Sequence, residues 1–201
     1  MRKAQRPEIL WCPNQRGGNR NGISATGNGW KFPPPVRKRL LEDCQGLDVL
    51  HLFGGKADFG TRLDIDPIVR PDVIGDAWLP PFARDSFDVV IMDPPYIHFS
   101  ASMKSALFRA ATWIARRRVI WFSTLWVGNS IGTALIPESS WLVRVGDLCY
   151  VRCLQYFAVD NERKRPPVDG FKGGPAVRYN RWLAQPEGLP LMEATEQTVL
   201  R

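Results

Sequence analysis

Phe87-Asp88-Val89-Val90-Ile91-Met92-Asp93-Pro94-Pro95-Tyr96 is the stretch on which the reading of the fold turns. Val89, Val90, Ile91 and Met92 are apolar in succession, so a strand made of them has no polar face. Such a strand is covered on both sides, as in a parallel sheet with helices around it. The two prolines stop it, because neither can donate to a sheet ladder. An acid, Asp93, is left where the strand ends.

Working outward, the same texture recurs on both sides. Asp48-Val49-Leu50-His51-Leu52-Phe53 reads as a strand closed by Gly54-Gly55, Arg62-Leu63-Asp64-Ile65 as a second and Asp72-Val73-Ile74 as a third. After the proline turn come a helical pattern through residues 101–115 and another strand, Arg118-Val119-Ile120-Trp121-Phe122-Ser123. Residues 141–145 and 148–157 lie close enough in the chain to form an antiparallel pair at the sheet edge. A short helix is expected over residues 36–44, just after Pro33-Pro34-Pro35, where helices tolerate proline. The fold class is therefore α/β: a doubly wound, mostly parallel sheet with an antiparallel edge hairpin. There is no internal repeat.

With 201 residues the chain can bury one sizeable core. Residues 1–35 read as a polar N-terminal arm, 36–160 as the catalytic domain, 161–185 as a basic loop and 186–201 as a tail. A hydrophobic fraction of 44% with 23% charged residues belongs to a water-soluble globular protein, with no apolar run long enough to span a bilayer. Met1-Arg2-Lys3-Ala4-Gln5-Arg6-Pro7 is basic but is not followed by a signal-peptide core, so a cytoplasmic location is expected. Cys12, Cys44, Cys149 and Cys153 lack the paired spacing of a zinc site and read as free thiols, and His51 and His98 complete no ligand set. No metal is expected.

The net charge of +7 and pI of about 9.5 predispose the chain to polyanions. Its basic residues cluster in triplets: Arg37-Lys38-Arg39, Arg116-Arg117-Arg118 and Arg163-Lys164-Arg165. The last, with Lys172, Arg178 and Arg181, forms the candidate nucleic-acid contact, supported by Tyr179 and Trp182 as stacking or wedging groups. The alternative is a solvated loop that packs Trp182 back on the sheet.

In an open parallel sheet, ligands bind beyond the carboxyl ends of the strands, so the closing residues carry the chemistry. Phe53, Gly54 and Gly55 allow close approach of a ligand to the backbone. Asp64 or Asp66 can take both hydroxyls of a ribose. Asp76, before Ala77, can accept from an adenine amino group, with Trp78 either as a wall of that site or as core. Asp93 and the carbonyl of Pro94, held by a rigid turn with Pro95, can accept both hydrogens of an amine, and Tyr96 offers a face for stacking.

Leu52-Phe53-Gly54-Gly55, Leu63-Asp64-Ile65-Asp66, Gly75-Asp76-Ala77 and Asp93-Pro94-Pro95-Tyr96 occur in the order of the class I methyltransferases that modify exocyclic amines of bases. Over about residues 46–125 the chain resembles that family. The resemblance implies a Rossmann-like fold, S-adenosylmethionine as cofactor, Asp93, Pro94, Pro95 and Tyr96 at the target base, and Phe53, Gly54, Gly55, Asp64, Asp66, Asp76 and Ala77 at the cofactor. Family members with Asp at the first position of the tetrapeptide are mostly adenine-specific DNA enzymes, so the resemblance points to N6 methylation of adenine in DNA, with the base flipped out.

Two departures accompany it. Only eleven positions separate Phe53 from Asp64, about half the family's interval, so the first crossover helix is expected to shrink to a turn or so. No room remains for a separate recognition domain. The competing readings are an RNA base methyltransferase acting on adenosine N6 or guanosine N2, and a catalytically inactive nucleic-acid-binding subunit with the same fold. As partners the reading expects nucleic acid, DNA in preference to RNA, and no membrane; a homodimer or a partner subunit is compatible with it.

Overall fold

The computed structural model describes residues 8–12, 32–94, 101–124, 127, 134–145 and 151–167. The described strands form one eight-stranded sheet in the order β1-β7-β8-β6-β5-β2-β3-β4. They are β1 (Glu8–Cys12), β2 (Val49–Leu52), β3 (Thr61–Asp64), β4 (Val73–Ile74), β5 (Phe87–Met92), β6 (Ala115–Ser123), β7 (Leu135–Val145) and β8 (Val151–Val159). Among them β8 alone runs against its neighbours, pairing antiparallel with β6 and β7. The architecture is the one expected: α/β, doubly wound and mostly parallel, with antiparallel pairing toward one edge.

Two helices cover the sheet. Helix α1 (Pro34–Asp43) starts on prolines whose missing N–H groups would have had no intrahelical partner. Val36, Leu40 and Cys44, four apart and buried, face Val89, Ile91, Ile120, Phe122, Trp141 and Leu154. Arg39 adds its guanidinium 4.5 Å from the centre of the Trp141 ring. Helix α2 (Ala101–Ile114) buries Leu107, Phe108, Ala111 and Ile114 on the opposite face, where Phe108 meets Trp121 at 5.0 Å between ring centres. Trp121 and Phe122 are neighbours on β6 and point to opposite faces, which is why the second half of the strand, Val119 to Phe122, is apolar on both. Cys44 and Cys153 are buried free thiols.

Residues 53–60, between β2 and β3, form turns and bends, so the first crossover is reduced to turns, as expected. Two features differ from the expectations above. β7 begins at Leu135, six residues before the stretch expected as a strand, and is bulged between Pro137 and Ser139. Glu8–Cys12, inside the expected polar arm, pair in parallel with Trp141–Val145 of β7 and extend the sheet by a strand.

The chain leaves β2 toward β3 and β4, then returns to place β5 on the other side of β2. The carboxyl ends of β2 and β5 are thus adjacent at the point where the strand order reverses, with Leu52 opposite Met92.

Candidate active site at the carboxyl edge of the sheet

Phe53 leaves β2 with φ +63°, and Gly55 follows at +47°. A left-handed Phe is uncommon, and its ring is held edge-on to Trp78 at 5.3 Å. Gly54 is required by packing: a Cβ there would lie 2.6 Å from Cβ of Arg62. Its N–H donates to the carbonyl of Leu63 at 2.9 Å, tying the loop to β3 in place of the missing crossover helix.

Asp64, the last residue of β3, organises the loop. Its Oδ2 accepts from the N–H of Gly55 at 2.9 Å and its Oδ1 from the N–H of Asp66 at 3.0 Å. A carboxylate has about four acceptor sites, so both oxygens keep capacity for a ligand. Asp66 caps the short 3-10 turn Pro67–Val69, accepting from the N–H of Ile68 at 2.9 Å. Past β4, Asp76 is half-buried and accepts from the N–H of Trp78 at 2.9 Å. Burial pushes its carboxyl above the ordinary range, against the lowering effect of that N–H. Ala77 is buried beside it. Trp78, left open above as wall or core, is core: it is 7% exposed and its Nε1 donates to the carbonyl of Met103 on α2 at 3.2 Å.

At the end of β5, Asp93 meets a residue that the motif reading did not include. Arg152, one residue into β8, places Nη2 2.6 Å from Oδ1 of Asp93, and the two side chains are 3% and 7% exposed. The guanidinium carbon of Arg152 lies 3.6 Å from the centre of the Phe122 ring. Because β8 is antiparallel, its first residues arrive at the same edge as the last residues of β5 and β6. An available signal was the lone charge in Val151-Arg152-Cys153-Leu154, a run otherwise suited to a buried strand. Pro94 is buried beside Asp93, whereas Pro95, Tyr96 and His98 lie outside the described residues.

The basic triplets are placed differently. The side chain of Lys164 is fully buried; its Nζ pairs with Asp85 and donates to the carbonyl of Ala115 at 2.6 Å. Asp85 precedes β5 and Ala115 begins β6, so this pair closes the amino edge of the sheet, opposite Asp93. Arg163 pairs with Asp160 at 3.3 Å and Arg165 is exposed. Arg116, Arg117 and Arg118 pair with Asp48, Asp88 and Glu138 near the same edge. The structure therefore does not bring Arg163, Lys164 and Arg165 together with Asp93; Lys172, Arg178, Arg181, Tyr179 and Trp182 lie outside the described residues.

No protein-family model matches this chain. The comparison with curated proteins finds no match either. Among solved structures the chain is similar to methyltransferases. Magnesium protoporphyrin IX methyltransferase from Synechocystis PCC 6803 with bound S-adenosylmethionine is 15% identical, with 61% of this chain and 76% of that one covered and a TM-score of 0.44. The N-methyltransferase NodS from Bradyrhizobium japonicum WM9 is 12% identical, with 62% and 94% covered and a TM-score of 0.47. The 1,6-didemethyltoxoflavin-N1-methyltransferase of Burkholderia thailandensis, with bound 1,6-didemethyltoxoflavin and S-adenosylhomocysteine, is 11% identical, with 64% and 78% covered and a TM-score of 0.47. Likeness of this degree assigns no substrate; the chain's own residues must do so.

Those residues fall into two groups at one edge. Asp64, Asp66 and Asp76 present acceptors at the ends of β3 and β4. Asp93, paired with the guanidinium of Arg152, presents its carboxyl group at the end of β5. A carboxylate accepts from N–H and O–H donors and is ill-suited to carbonyl or phosphate oxygens.

Proposed function

We propose that this chain transfers the methyl group of S-adenosylmethionine to the exocyclic amino nitrogen of adenine in DNA. The observation that carries the proposal is the arginine-paired carboxylate of Asp93 beside Pro94 at the topological switch point. The acceptors along the same edge suit the cofactor: Asp64 or Asp66 for ribose hydroxyls and Asp76, beside buried Ala77, for an adenine amine. Bound there, S-adenosylmethionine supplies a methyl carbon on a sulfonium leaving group.

The adenine amine is a poor nucleophile because its lone pair is delocalised into the ring. Asp93 and the carbonyl of Pro94 accept its two hydrogens, drawing the nitrogen toward a tetrahedral shape with the lone pair directed at the methyl carbon. The methyl carbon would be delivered with the C–S bonding electrons leaving on sulfur, and the surplus proton of the amine would pass to solvent. No protein nucleophile is needed; alignment of the reacting atoms is the main contribution. A duplex hides this nitrogen, so the base is flipped out or already unpaired, with Tyr96 stacking on it for about 1–3 kcal/mol.

Mass spectrometry of nucleosides after incubation with DNA, RNA and methyl-labelled cofactor tests the proposal. Labelled N6-methyladenine in DNA is the expected product. Label confined to RNA supports the RNA base enzyme instead, and no label together with no cofactor binding by calorimetry supports the inactive subunit.

A further inference from the structure

The buried pair of Asp93 and Arg152 calls for an explanation that stability does not supply. Taking both charges out of water is costly, and apolar residues of the same volume would fill the space at least as well. The pair is also built with care: Arg152 is pressed against the face of Phe122, whose ring lies 5.8 Å from that of Phe32, and Phe32 in turn packs on His51. Such backing restricts the guanidinium to one place.

We propose that Arg152 is a positioning residue, which holds Asp93 as an ionised carboxylate in a single orientation so that the site offers the substrate amine an acceptor and never a donor. The proposal rests on the methyl-transfer reading above. A carboxyl group in apolar surroundings tends to take up a proton, and its O–H would then oppose the N–H of the amine. Among the described residues, the charged and titratable groups on this face at the carboxyl edge are His51 of β2, Arg62 and Asp64 of β3, and Arg152 of β8. Arg152 is bonded to Asp93, whereas Arg62 is committed to Asp72 and to the carbonyl of Arg70. His51 is kept neutral by burial, with its pKa lowered to about 4.

The test uses carbon-13 NMR of labelled aspartate carboxyls in the full chain, with Asp93 assigned by its loss in Asp93→Asn. In the wild type, Asp93 stays ionised throughout the range from mildly acid to alkaline. In Arg152→Met its midpoint rises by roughly two pH units. Arg152→Lys, which keeps the charge, restores the wild-type titration. On the same proteins, kcat for methyl transfer by Arg152→Met falls with the ionised fraction and returns as pH is raised, while the Kd for S-adenosylmethionine stays within about twofold, as for a group acting only in the transition state.

Arg152→Met with unchanged titration and rate overturns the proposal, as does a rate loss that no pH restores. If Arg152→Met does not fold, the wild type and Arg152→Lys still decide: an Asp93 that titrates near neutrality in the wild type, or that Lys fails to hold ionised, contradicts it. Absence of methyl transfer by a wild type whose Asp93 titrates as stated overturns the reaction, and leaves the hold of Arg152 on Asp93 standing.

Discussion

Asp76 and Asp93 lie at the carboxyl edge, past β4 and β5 with β2 and β3 between them, and their surroundings treat them differently. Asp76 is raised by burial and steadied by a backbone N–H, while Asp93 has a guanidinium against it. His51 shows what burial does to a group with less compensation. It is 2% exposed, its Nε2 has no hydrogen-bond partner among the described residues, and its pKa is lowered to about 4 by desolvation, against a backbone hydrogen bond to Phe59. The unfolded chain takes up this proton near pH 6.5 and the folded chain only near 4, so acid favours unfolding in that window. We expect the wild type to lose about 3 kcal/mol more than His51→Leu between neutral pH and pH 4, measured by urea unfolding; parallel pH profiles would contradict this. At Gly54 the limit is space. Gly54→Ala must push β3 away, and about 1–3 kcal/mol should be lost in denaturant unfolding, with no loss contradicting the packing account. The carboxylates and glycines of the site were legible because strand ends announce them. Arg152 was not, because its partner is 59 residues away in sequence and only the antiparallel course of β8 joins them.

Strands apolar on both faces declared themselves, and β5 has the bounds that its sequence suggests. The elements that did not are polar or short. The first part of β7, Leu135-Ile136-Pro137-Glu138-Ser139-Ser140, carries a proline, a bulge and exposed side chains, so it lacks a strand's alternation. β1 is five residues in a polar stretch, and its pairing with β7 is a long-range fact that no local pattern encodes. The connection of residues 53–60 replaces a helix with hydrogen bonds from Gly54 to Leu63 and from Gly55 to Asp64. At the other edge, the position of Lys164 separates two kinds of basic residue. Replacing Arg163, Lys164 and Arg165 with Ala should lower stability by about 1.5–3 kcal/mol through the lost Lys164 bonds, and change the salt dependence of DNA binding little. Replacing Lys172, Arg178 and Arg181 should flatten the salt slope by roughly 2–3 units, at about 0.9 for each phosphate contact. The reverse pattern would return the phosphate contacts to Arg163, Lys164 and Arg165.

For the molecule as a whole, the two edges of the sheet divide the work. The amino edge is laced by ion pairs of Arg116, Arg117, Arg118 and Lys164, which absorb much of the basic clustering that the net charge of +7 suggests. Exposed pairs of this kind contribute little to stability one by one, but they leave fewer free cations for a polyanion on that side. The carboxyl edge carries Asp64, Asp66 and Asp76 and the buried pair of Asp93 and Arg152 at the strand-order reversal. In the proposed reaction Asp93 accepts from the target amine and takes no part in holding the cofactor. The most direct test compares the wild type with Asp93→Ala on a DNA substrate, reading labelled N6-methyladenine by mass spectrometry and cofactor affinity by calorimetry on the same preparations. The account predicts that the folded variant loses methylation by at least about 100-fold, in the range for losing one preorganised transition-state contact, while its cofactor affinity stays within a few-fold of the wild type. Undiminished N6-methyladenine from Asp93→Ala would contradict it.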